Sequence, residues 1–479
     1  MTAVAERPET PRSLSGIRNL SSWLHGWRLL AVCVVISLVS VVVLPSVPSY
    51  DPYAWITWGR ELFNGLDTNG GPSWKPFPVI FTGPFALFGG GAPYLWIAVS
   101  RVGGLLSFVG AYRLAARLSG RLAGWGAVAA LALTLNYATY GLRGTSEPLL
   151  VCFALWTIVF YLDGRRLAAY WSAVALSLIR PEAWLFIAVY AIVLWVREPR
   201  WRWQIAAGIA LIGFGWFVPP WISVGDPFGA STHAASFNGH LGGSPAWTVL
   251  QRGAQLTVFP VLVGALVAIA FAIRRRDWLP LILAGLALAW VAIVVISTLA
   301  AYPGLARFML PAEAIACVLF GVGVSDLASL VPDRRIAAVG VLGLALLTVW
   351  LSHSRISSIH QEAATARLAV STFDSMSLAI ERAGGRDALV PCPQSRLAVN
   401  HTAATALAWK LDLPLSRVKS YLAHPGVIFR GVYVSPLGAP PDLSFEPRTI
   451  HTIARVGHTW HVMAITPPGG TPGHGCVGS

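Results

Sequence analysis

Long apolar segments between residues 29 and 352 constrain this chain more than any other feature. Each is about 20 residues long, which is the length that an α-helix needs to cross the ~30 Å hydrocarbon core of a membrane. Hydrophobic residues make up 55% of the chain and charged residues only 12%, whereas a soluble domain carries about 25% charged residues. The sequence therefore predicts a polytopic α-helical membrane protein.

We predict about eleven transmembrane helices from the length and spacing of these segments. They lie at 29–48, 93–117, 121–141, 145–162, 167–180, 182–196, 204–222, 249–273, 278–300, 308–326 and 335–352. The fifth and sixth form one apolar stretch that Arg180-Pro181-Glu182 interrupts. Because proline removes a backbone donor and disfavours helical geometry in the residue before it, we expect a break there. A single kinked helix is the alternative.

The distribution of arginine favours two crossings and sets the orientation of the chain. Cytoplasmic loops of membrane proteins carry an excess of Lys and Arg. Two crossings place the arginine runs at 274–276 and 334–335 in the cytoplasm, whereas one crossing places them outside. We therefore predict a cytoplasmic tail at 1–28, a transmembrane module at 29–352 and an extracytoplasmic domain at 353–479.

Charge and composition also indicate the cellular setting. Cytoplasmic arginines that face anionic inner-leaflet lipid explain the net charge of +14, so nucleic acid is not an expected partner and the lipid bilayer is. Lysine occurs only at positions 75, 410 and 419, while Ala, Gly and Arg are abundant. This composition is typical of a GC-rich bacterial source. It predicts a multi-pass protein of the bacterial cytoplasmic membrane.

The region 353–479 has no apolar run long enough to span a membrane. Its sequence patterns predict helices at 371–383 and 402–411, and strands at 388–390, 427–435, 449–456 and 459–465. We expect a small extracytoplasmic α/β or α+β domain. Cys392 and Cys476 are the two cysteines of this region, and an oxidising compartment favours a disulfide between them.

The first outer loop, residues 49–92, is the longest between the predicted spans. Asp51 stands directly after the first span. Residues 53–63 have helical spacing, with aromatic side chains on one side and charged ones on the other, which predicts a helix that lies in the membrane interface. Trp74-Lys75-Pro76 follows and precedes a second short apolar segment at 79–88.

Polar residues at membrane depth are costly, which makes those at the ends of spans candidates for function. In this chain they collect at the outer ends, and the cytoplasmic loops carry little beyond the arginines that set the topology. The outer set comprises Asp51, Glu61, Asp67, Lys75, Arg143, Glu147, Arg180, Glu182, Asp226, His233, His240, Arg307 and Glu313. We therefore predict that any chemistry takes place at the outer face.

Several of these segments resemble the GT-C superfamily of membrane glycosyltransferases, which use polyprenyl-phosphate-linked sugars. The superfamily includes protein O-mannosyltransferases, aminoarabinose transferases and actinobacterial mannosyl- and arabinosyltransferases. The resemblance covers residues 29–352. It rests on the loop that follows Asp51 and on the segments at 143–150, 176–183 and 302–311. Many relatives have two adjacent acids where this chain has Asp51-Pro52.

The resemblance implies a GT-C-like fold and an inverting glycosyltransferase at the outer face. The donor would be a polyprenyl-phosphate-linked mannose or pentose, and the acceptor an envelope glycan, a glycolipid or a protein. Asp51 is the candidate general base, because one carboxylate suffices to deprotonate the acceptor hydroxyl as the phosphate departs. Its alternative role is the N-cap of a helix that begins at Pro52. Tyr53 and Trp55 are candidates for stacking on the sugar.

The departing phosphate needs cations, and guanidinium groups suit phosphate oxygens. Arg307 is the first candidate, followed by Arg180 and Lys75. The alternative for each is a cation that reaches toward the membrane interface, and for Arg180 an ion pair with a nearby glutamate. Glu147 either orients the acceptor, holds a divalent metal ion such as Mg²⁺ or Mn²⁺, or caps its helix.

The loop at 224–245 is rich in Gly and Ser and carries His233 and His240. Both are candidates for substrate binding in a flexible loop that closes over the site, and ordinary surface histidines are the alternative. Neither is assigned to a metal.

A second class of function stays open at this stage. A transporter or a flippase of lipid-linked sugars, without transferase activity, would need charges or broken helices near mid-membrane. The break at Arg180-Pro181-Glu182 is its sole candidate in the sequence.

Overall fold

The structure, a computed structural model, describes residues 26–62, 65–236, 244–300, 302–422, 426–432, 437–443 and 449–466. Up to residue 351 its regular structure is helical. The first helices are α1 (Gly26–Val43), α2 (Tyr50–Glu61), α3 (Pro76–Phe85), α4 (Ala92–Ala132), α5 (Tyr137–Leu142), α6 (Glu147–Leu162), α7 (Arg166–Ile179) and α8 (Trp184–Arg197). They are followed by α9 (Arg202–Val224), α10 (Gly229–Ser236), α11 (Pro245–Ala254), α12 (Phe259–Arg275), α13 (Trp278–Leu299), α14 (Leu310–Ala328) and α15 (Arg334–Leu351).

Helices occupy the predicted span positions, but some bounds differ. α4 joins the second and third predicted spans and is kinked at Ser119 and Gly120, where Gly120 has a φ of 83°. It ends at Ala132, so the third helix is shorter than predicted. The prediction of one continuous span at 249–273 is wrong, because α11 and α12 are bent by 94° at the break between them. Val258 is extended there, and Pro260 stands in the first turn of α12.

The expected break at Pro181 is present. α7 ends at Ile179, Arg180 has the extended values φ −144° and ψ 127°, and a short 3-10 turn leads into α8. The chain therefore forms two helices here, and the alternative of one kinked helix is wrong.

Several helices have the length and composition of membrane spans. In the described part of the chain five qualify singly, and up to seven if each bent pair counts as one span. α6 and α7 are shorter apolar helices. The total of about eleven crossings and the orientation of the chain stay predictions.

α14 is the most enclosed of the spans and packs between α4 and α12. Small residues allow this close approach: a Cβ atom added at Gly321 would lie 2.1 Å from the Ala123 carbonyl oxygen, and one added at Gly323 would lie 2.0 Å from that of Gly264. Such small-residue contacts are a common way for membrane helices to pack. They fix the position of α14 and of the short turn that precedes it.

α2 is a helix, as predicted, but it is buried in the protein rather than exposed on its surface, and its place in the membrane interface stays a prediction. Residues 52–59 are all buried. α3 and α4 cover one side of α2, and the C-terminal domain covers the other. The amphipathic pattern failed as a guide because the charged side of α2 faces protein rather than water.

The C-terminal domain begins with a long helix and contains a mixed sheet. Its elements are α16 (His353–Arg382), α17 (Gly385–Leu389), β1 (Leu397–Val399), α18 (Ala404–Lys410), β2 (Val418–Lys419), β3 (Tyr421–Leu422), β4 (Gly426–Gly431), β5 (Asp442–Leu443), β6 (Thr449–Val456) and β7 (Trp460–Thr466). The main sheet has the order β2-β1-β4-β7-β6, in which β1 pairs in parallel with β2 and β4, and β7 pairs antiparallel with β4 and β6. The predicted helix at 402–411 and the predicted strands at 449–456 and 459–465 are present. The strand predicted at 427–435 is present as far as Gly431, and residues 433–435 lie outside the described residues.

One strand of this domain was misplaced. The prediction of a strand at 388–390 is wrong, because α17 occupies this segment and the strand comes later, at β1. A run of three apolar residues is too short to separate a strand from a helix by its periodicity. Cys476 lies outside the described residues, so the disulfide with Cys392 stays a prediction.

Candidate active site

Asp51 lies in the first turn of α2, at the point where the chain leaves α1. Ser49 is the N-cap residue of this helix, and it makes no side-chain capping bond. The Asp51 carboxylate instead accepts a hydrogen bond from Arg307, with Oδ2 3.1 Å from Nη2. The alternative role of Asp51 as the N-cap is therefore wrong, and its carboxylate is directed toward another element of the fold.

Arg307 occupies a short 3-10 turn, Ala306–Met309, directly before α14. Its guanidinium lies between two carboxylates: besides the bond to Asp51, its Nε is 3.5 Å from Oε1 of Glu147. Glu147 begins α6, and its side chain is only 1% exposed. Neither of its carboxylate oxygens makes a capping hydrogen bond within the described ranges. One cation therefore holds the starts of three helices together.

Lys75 and Arg180 add two buried cations beside this group. The Lys75 ammonium donates to Ser146 Oγ at 3.3 Å and lies 5.1 Å from the centre of the Trp55 ring. Burial, and after it the charge of Arg180, lower the pKa of Lys75 to about 8. The Arg180 guanidinium lies 3.4 Å from the centre of the Phe308 ring.

The charges of Asp51, Glu147, Arg180 and Arg307 all act on the pKa of Lys75, so the five side chains form one electrostatic unit. We call this set the charged cluster. Nη2 of Arg180 is buried and has no hydrogen-bond partner in the described part of the chain, and Nε of Arg307 makes only its 3.5 Å ion pair with Glu147. Buried polar atoms are nearly always hydrogen-bonded in folded proteins. The charged cluster therefore has hydrogen-bonding capacity that is available to a ligand.

Tyr53 and Trp55, the aromatic candidates, lie in the core. Trp55 is fully buried and contacts the edge of Trp96 at a centroid distance of 5.5 Å. Tyr53 packs against Phe373 of the C-terminal domain at 5.9 Å. The two rings pack on different neighbours of α2, Trp55 on α4 and Tyr53 on the C-terminal domain, and their contact with a sugar stays a prediction.

Of the two candidate histidines, only His233 belongs to the described residues. His233 lies in α10, and its Nε2 is 2.7 Å from the Gly71 carbonyl oxygen, which links α10 to the first outer loop. His240 lies outside the described residues. Across the described ranges, no group of three or more His, Cys, Asp or Glu side chains is placed to hold a metal ion. A divalent ion at Glu147 stays a prediction.

Sequence reasoning missed the role of the C-terminal domain beside this site. Thr405 donates to the Tyr50 carbonyl oxygen at 2.8 Å, and the His401 ring stacks on Tyr50 at a centroid distance of 5.1 Å. These contacts hold the first turn of α2, which carries Asp51. More than 340 residues separate the partners in the chain, so no local pattern could have indicated them.

The opposite end of α2 is held as well. Arg60 donates to the carbonyl oxygens of Trp409 and Leu413, at 3.2 and 2.9 Å, and pairs with Asp412 at 2.9 Å. The C-terminal domain therefore contacts both ends of the helix that positions Asp51.

Known structures share this fold. ArnT from Cupriavidus metallidurans bound to undecaprenyl phosphate matches with a TM-score of 0.52 and 15% identity, over 93% of this chain and 98% of that chain. Its apo state matches with 0.53 and 16% over the same shares. An oligosaccharyltransferase from Archaeoglobus fulgidus in the apo form gives 0.49 and 12%, over 83% of this chain and 65% of that chain. No family model matches the sequence, and no curated protein sequence matches it.

The two ArnT structures establish the fold. Because they align over nearly the whole of both chains, the likeness includes the transmembrane part and the C-terminal domain. The predicted GT-C-like membrane architecture with a small C-terminal domain is confirmed.

Replacement of Arg60 tests the attachment of the C-terminal domain. In Arg60→Ala, two carbonyl oxygens and Asp412 lose their donor, and we expect a loss of about 1–3 kcal/mol in unfolding free energy. The measurement is thermal unfolding of the purified protein in detergent. Arg166→Ala is the control, because its pair with Glu198 is 45% exposed on the arginine side and pairs of this kind contribute about 0–1 kcal/mol. Equal melting temperatures for both variants would contradict the attachment.

Proposed function

We propose that this protein is a glycosyltransferase that moves a sugar, mannose or a pentose, from a polyprenyl-phosphate donor to a hydroxyl of an envelope glycan, a glycolipid or a protein. The observation that carries this proposal is the charged cluster, in which Asp51 and Glu147 share Arg307 beside two further buried cations. Its setting in an ArnT fold supports the same function. ArnT binds undecaprenyl phosphate, which is itself a polyprenyl phosphate.

The cations of the cluster suit the phosphate of such a donor. Arginine binds phosphate through paired N–H donors, and Lys75 supplies a compact positive charge. The buried Nη2 of Arg180 has no hydrogen-bond partner in the described structure, and Nε of Arg307 has only a long ion pair with Glu147, so a phosphate would supply acceptors for both. Binding there would compensate both the phosphate charge and the mutual repulsion of the three cations.

The transfer needs one base and one leaving group. The acceptor oxygen attacks the anomeric carbon of the donor sugar, and a new carbon–oxygen bond forms as the bond from that carbon to the phosphate oxygen breaks. The phosphate oxygen keeps the electron pair and departs as polyprenyl phosphate. Asp51 takes the proton of the acceptor hydroxyl, and attack from the face opposite the phosphate inverts the anomeric centre.

Arg307 links donor binding to the activity of this base. In the present structure the Asp51 carboxylate is occupied by its hydrogen bond with Arg307. A donor phosphate competes with Asp51 for the N–H groups of Arg307. We infer that donor binding weakens the pair between Asp51 and Arg307 and so frees the Asp51 carboxylate to accept the hydroxyl proton of the acceptor when the sugar is in place. Glu147 keeps Arg307 oriented during this exchange.

The location follows from the sequence-based topology. The start of α2, the start of α6 and the turn before α14 lie at the predicted outer ends of their spans. The proposed reaction thus takes place at the outer face of the bacterial cytoplasmic membrane, next to the predicted extracytoplasmic C-terminal domain.

Replacement of the proposed base tests the reaction most simply. We expect Asp51→Asn to lower transfer by about 10²–10⁴-fold, because a positioned general base contributes that much. The measurement is the transfer of labelled sugar from polyprenyl-phosphate mannose or arabinose by purified protein in lipid. Asp277→Asn is the matched control, since Asp277 caps α13 with a bond to the Leu279 N–H and asparagine caps equally well.

The outcomes of this test separate the function classes. Full turnover by Asp51→Asn would contradict the base assignment. Absence of transfer from every donor, together with movement of lipid-linked sugar across the membrane, would favour the flippase.

The pKa of Lys75 predicts a pH dependence. It is lowered to about 8, so the ammonium is charged below pH 8 and becomes neutral as the pH rises through that value. We expect kcat/KM for the donor to fall by about tenfold above pH 8, as one charged contact to the phosphate is lost. Lys75→Gln removes the titrating group and should give a low value without this inflection. An unchanged inflection in Lys75→Gln would contradict the assignment.

A further inference from the structure

A cavity of about 380 Å³ lies beside the charged cluster, between the outer parts of α8, α9, α10 and α13. This volume falls in the range of small-ligand sites, about 300–1,000 Å³. Five aromatic side chains line it. We call it the aromatic pocket and define it by Trp184, Trp216, Phe217, Phe228 and Tyr302, with Glu182 as its acidic residue.

Glu182 is the unusual member of this wall. Its side chain is 2% exposed, and neither carboxylate oxygen has a hydrogen-bond partner in the part of the chain that the structure describes. Arg180 lies 3.6 Å away, close enough to offset the charge of Glu182. Burial of a carboxylate without hydrogen-bond donors costs free energy. A ligand that donates hydrogen bonds to these two oxygens would lower this cost.

The residues of the wall indicate which part of a lipid-linked donor the pocket binds, the isoprenoid tail or the sugar. The isoprenoid tail could pack against the aromatic rings, but it would give the Glu182 oxygens no hydrogen-bond donor. A sugar ring offers hydroxyl donors on its edge and C–H groups on its faces, which match a carboxylate and flat rings. Ser231 and Ser297 add hydroxyl groups to the same wall.

Arg180 connects the pocket to the charged cluster. Its guanidinium is paired with Glu182 on one side, and its charge acts on Lys75 on the other. A phosphate bound by Arg180 therefore stands next to the pocket, and the sugar attached to that phosphate is within reach of Glu182.

We propose that the aromatic pocket binds the sugar of the lipid-linked donor and that Glu182 determines sugar specificity by accepting hydrogen bonds from its hydroxyl groups. This proposal rests on the proposed function, because it takes the donor to be a polyprenyl-phosphate sugar. It adds a specificity residue that lies outside the charged cluster.

The test compares donors with and without a sugar. Binding of decaprenyl phosphate, decaprenyl-phosphate mannose and decaprenyl-phosphate arabinose is measured on the full chain in lipid nanodiscs. We expect the wild type to bind one sugar lipid more tightly than decaprenyl phosphate. Glu182→Gln should weaken that sugar lipid by about ten- to a hundredfold, as expected for lost hydrogen bonds to a charged group, and leave decaprenyl phosphate within about twofold.

Two variants guard against a general loss of structure. Glu313→Gln is the matched control, because Glu313 is also a buried glutamate but does not line the pocket. It should leave the preference for the sugar lipid unchanged. Phe228→Ala tests the pocket without touching a buried charge, since Phe228 is 62% exposed, and it too should weaken only the sugar lipid.

Several results would overturn the proposal. Equal weakening of all three lipids in Glu182→Gln and Phe228→Ala would assign the pocket to the isoprenoid tail. No effect of either variant, or no preference for a sugar lipid in the wild type, would exclude sugar recognition there. The proposed function fails separately, by an absence of transfer in the wild type, which these binding measurements do not require.

Discussion

The rest of the site depends on the contact of Arg307 with two carboxylates. Asp51 comes from α2, Glu147 from α6 and Arg307 from the turn before α14, so one guanidinium joins segments that are far apart in the chain. Glu147 is buried, with its side chain 1% exposed, so removal of Arg307 would leave its charge uncompensated. The arrangement is therefore both a structural junction and the centre of the proposed chemistry.

Two parts of the fold keep this junction in place. Small residues let α14 pack tightly against α4 and α12, and this packing fixes the position of the turn that carries Arg307. The C-terminal domain contacts both ends of α2, which sets the position of Asp51. The same domain packs on α2, and the side chains of the charged cluster are buried or partly buried. Charges interact more strongly in such a setting than they do in water.

Much of this architecture could be predicted from the sequence because it depends on local signals. Apolar runs of sufficient length mark the helices, and Pro181 marks the break between α7 and α8. The outer ends of the spans contain the members of the charged cluster, since polar residues at membrane depth are rare. Asp51, Lys75, Glu147, Arg180 and Arg307 were all singled out in this way, and the structure brings them together.

What the sequence could not reveal depends on contacts between distant segments. The burial of α2 follows from the docking of the C-terminal domain, whose residues at 401–413 lie more than 340 positions downstream. The misplaced strand at 388–390 is a failure of another kind, since short apolar runs fit helix and strand alike. The aromatic pocket is lined by residues from four helices and from the segments that connect them. No single segment carries its signature.

The central claim is that the donor phosphate binds the N–H groups of Arg307 and replaces Asp51 as their partner. A structure of the protein in nanodiscs with bound decaprenyl phosphate tests it most directly. The account predicts phosphate oxygens within about 3 Å of Arg307 and Lys75, and a separation between Asp51 Oδ2 and Arg307 Nη2 longer than the present 3.1 Å. A phosphate bound away from the charged cluster, with the pair between Asp51 and Arg307 intact, would contradict it.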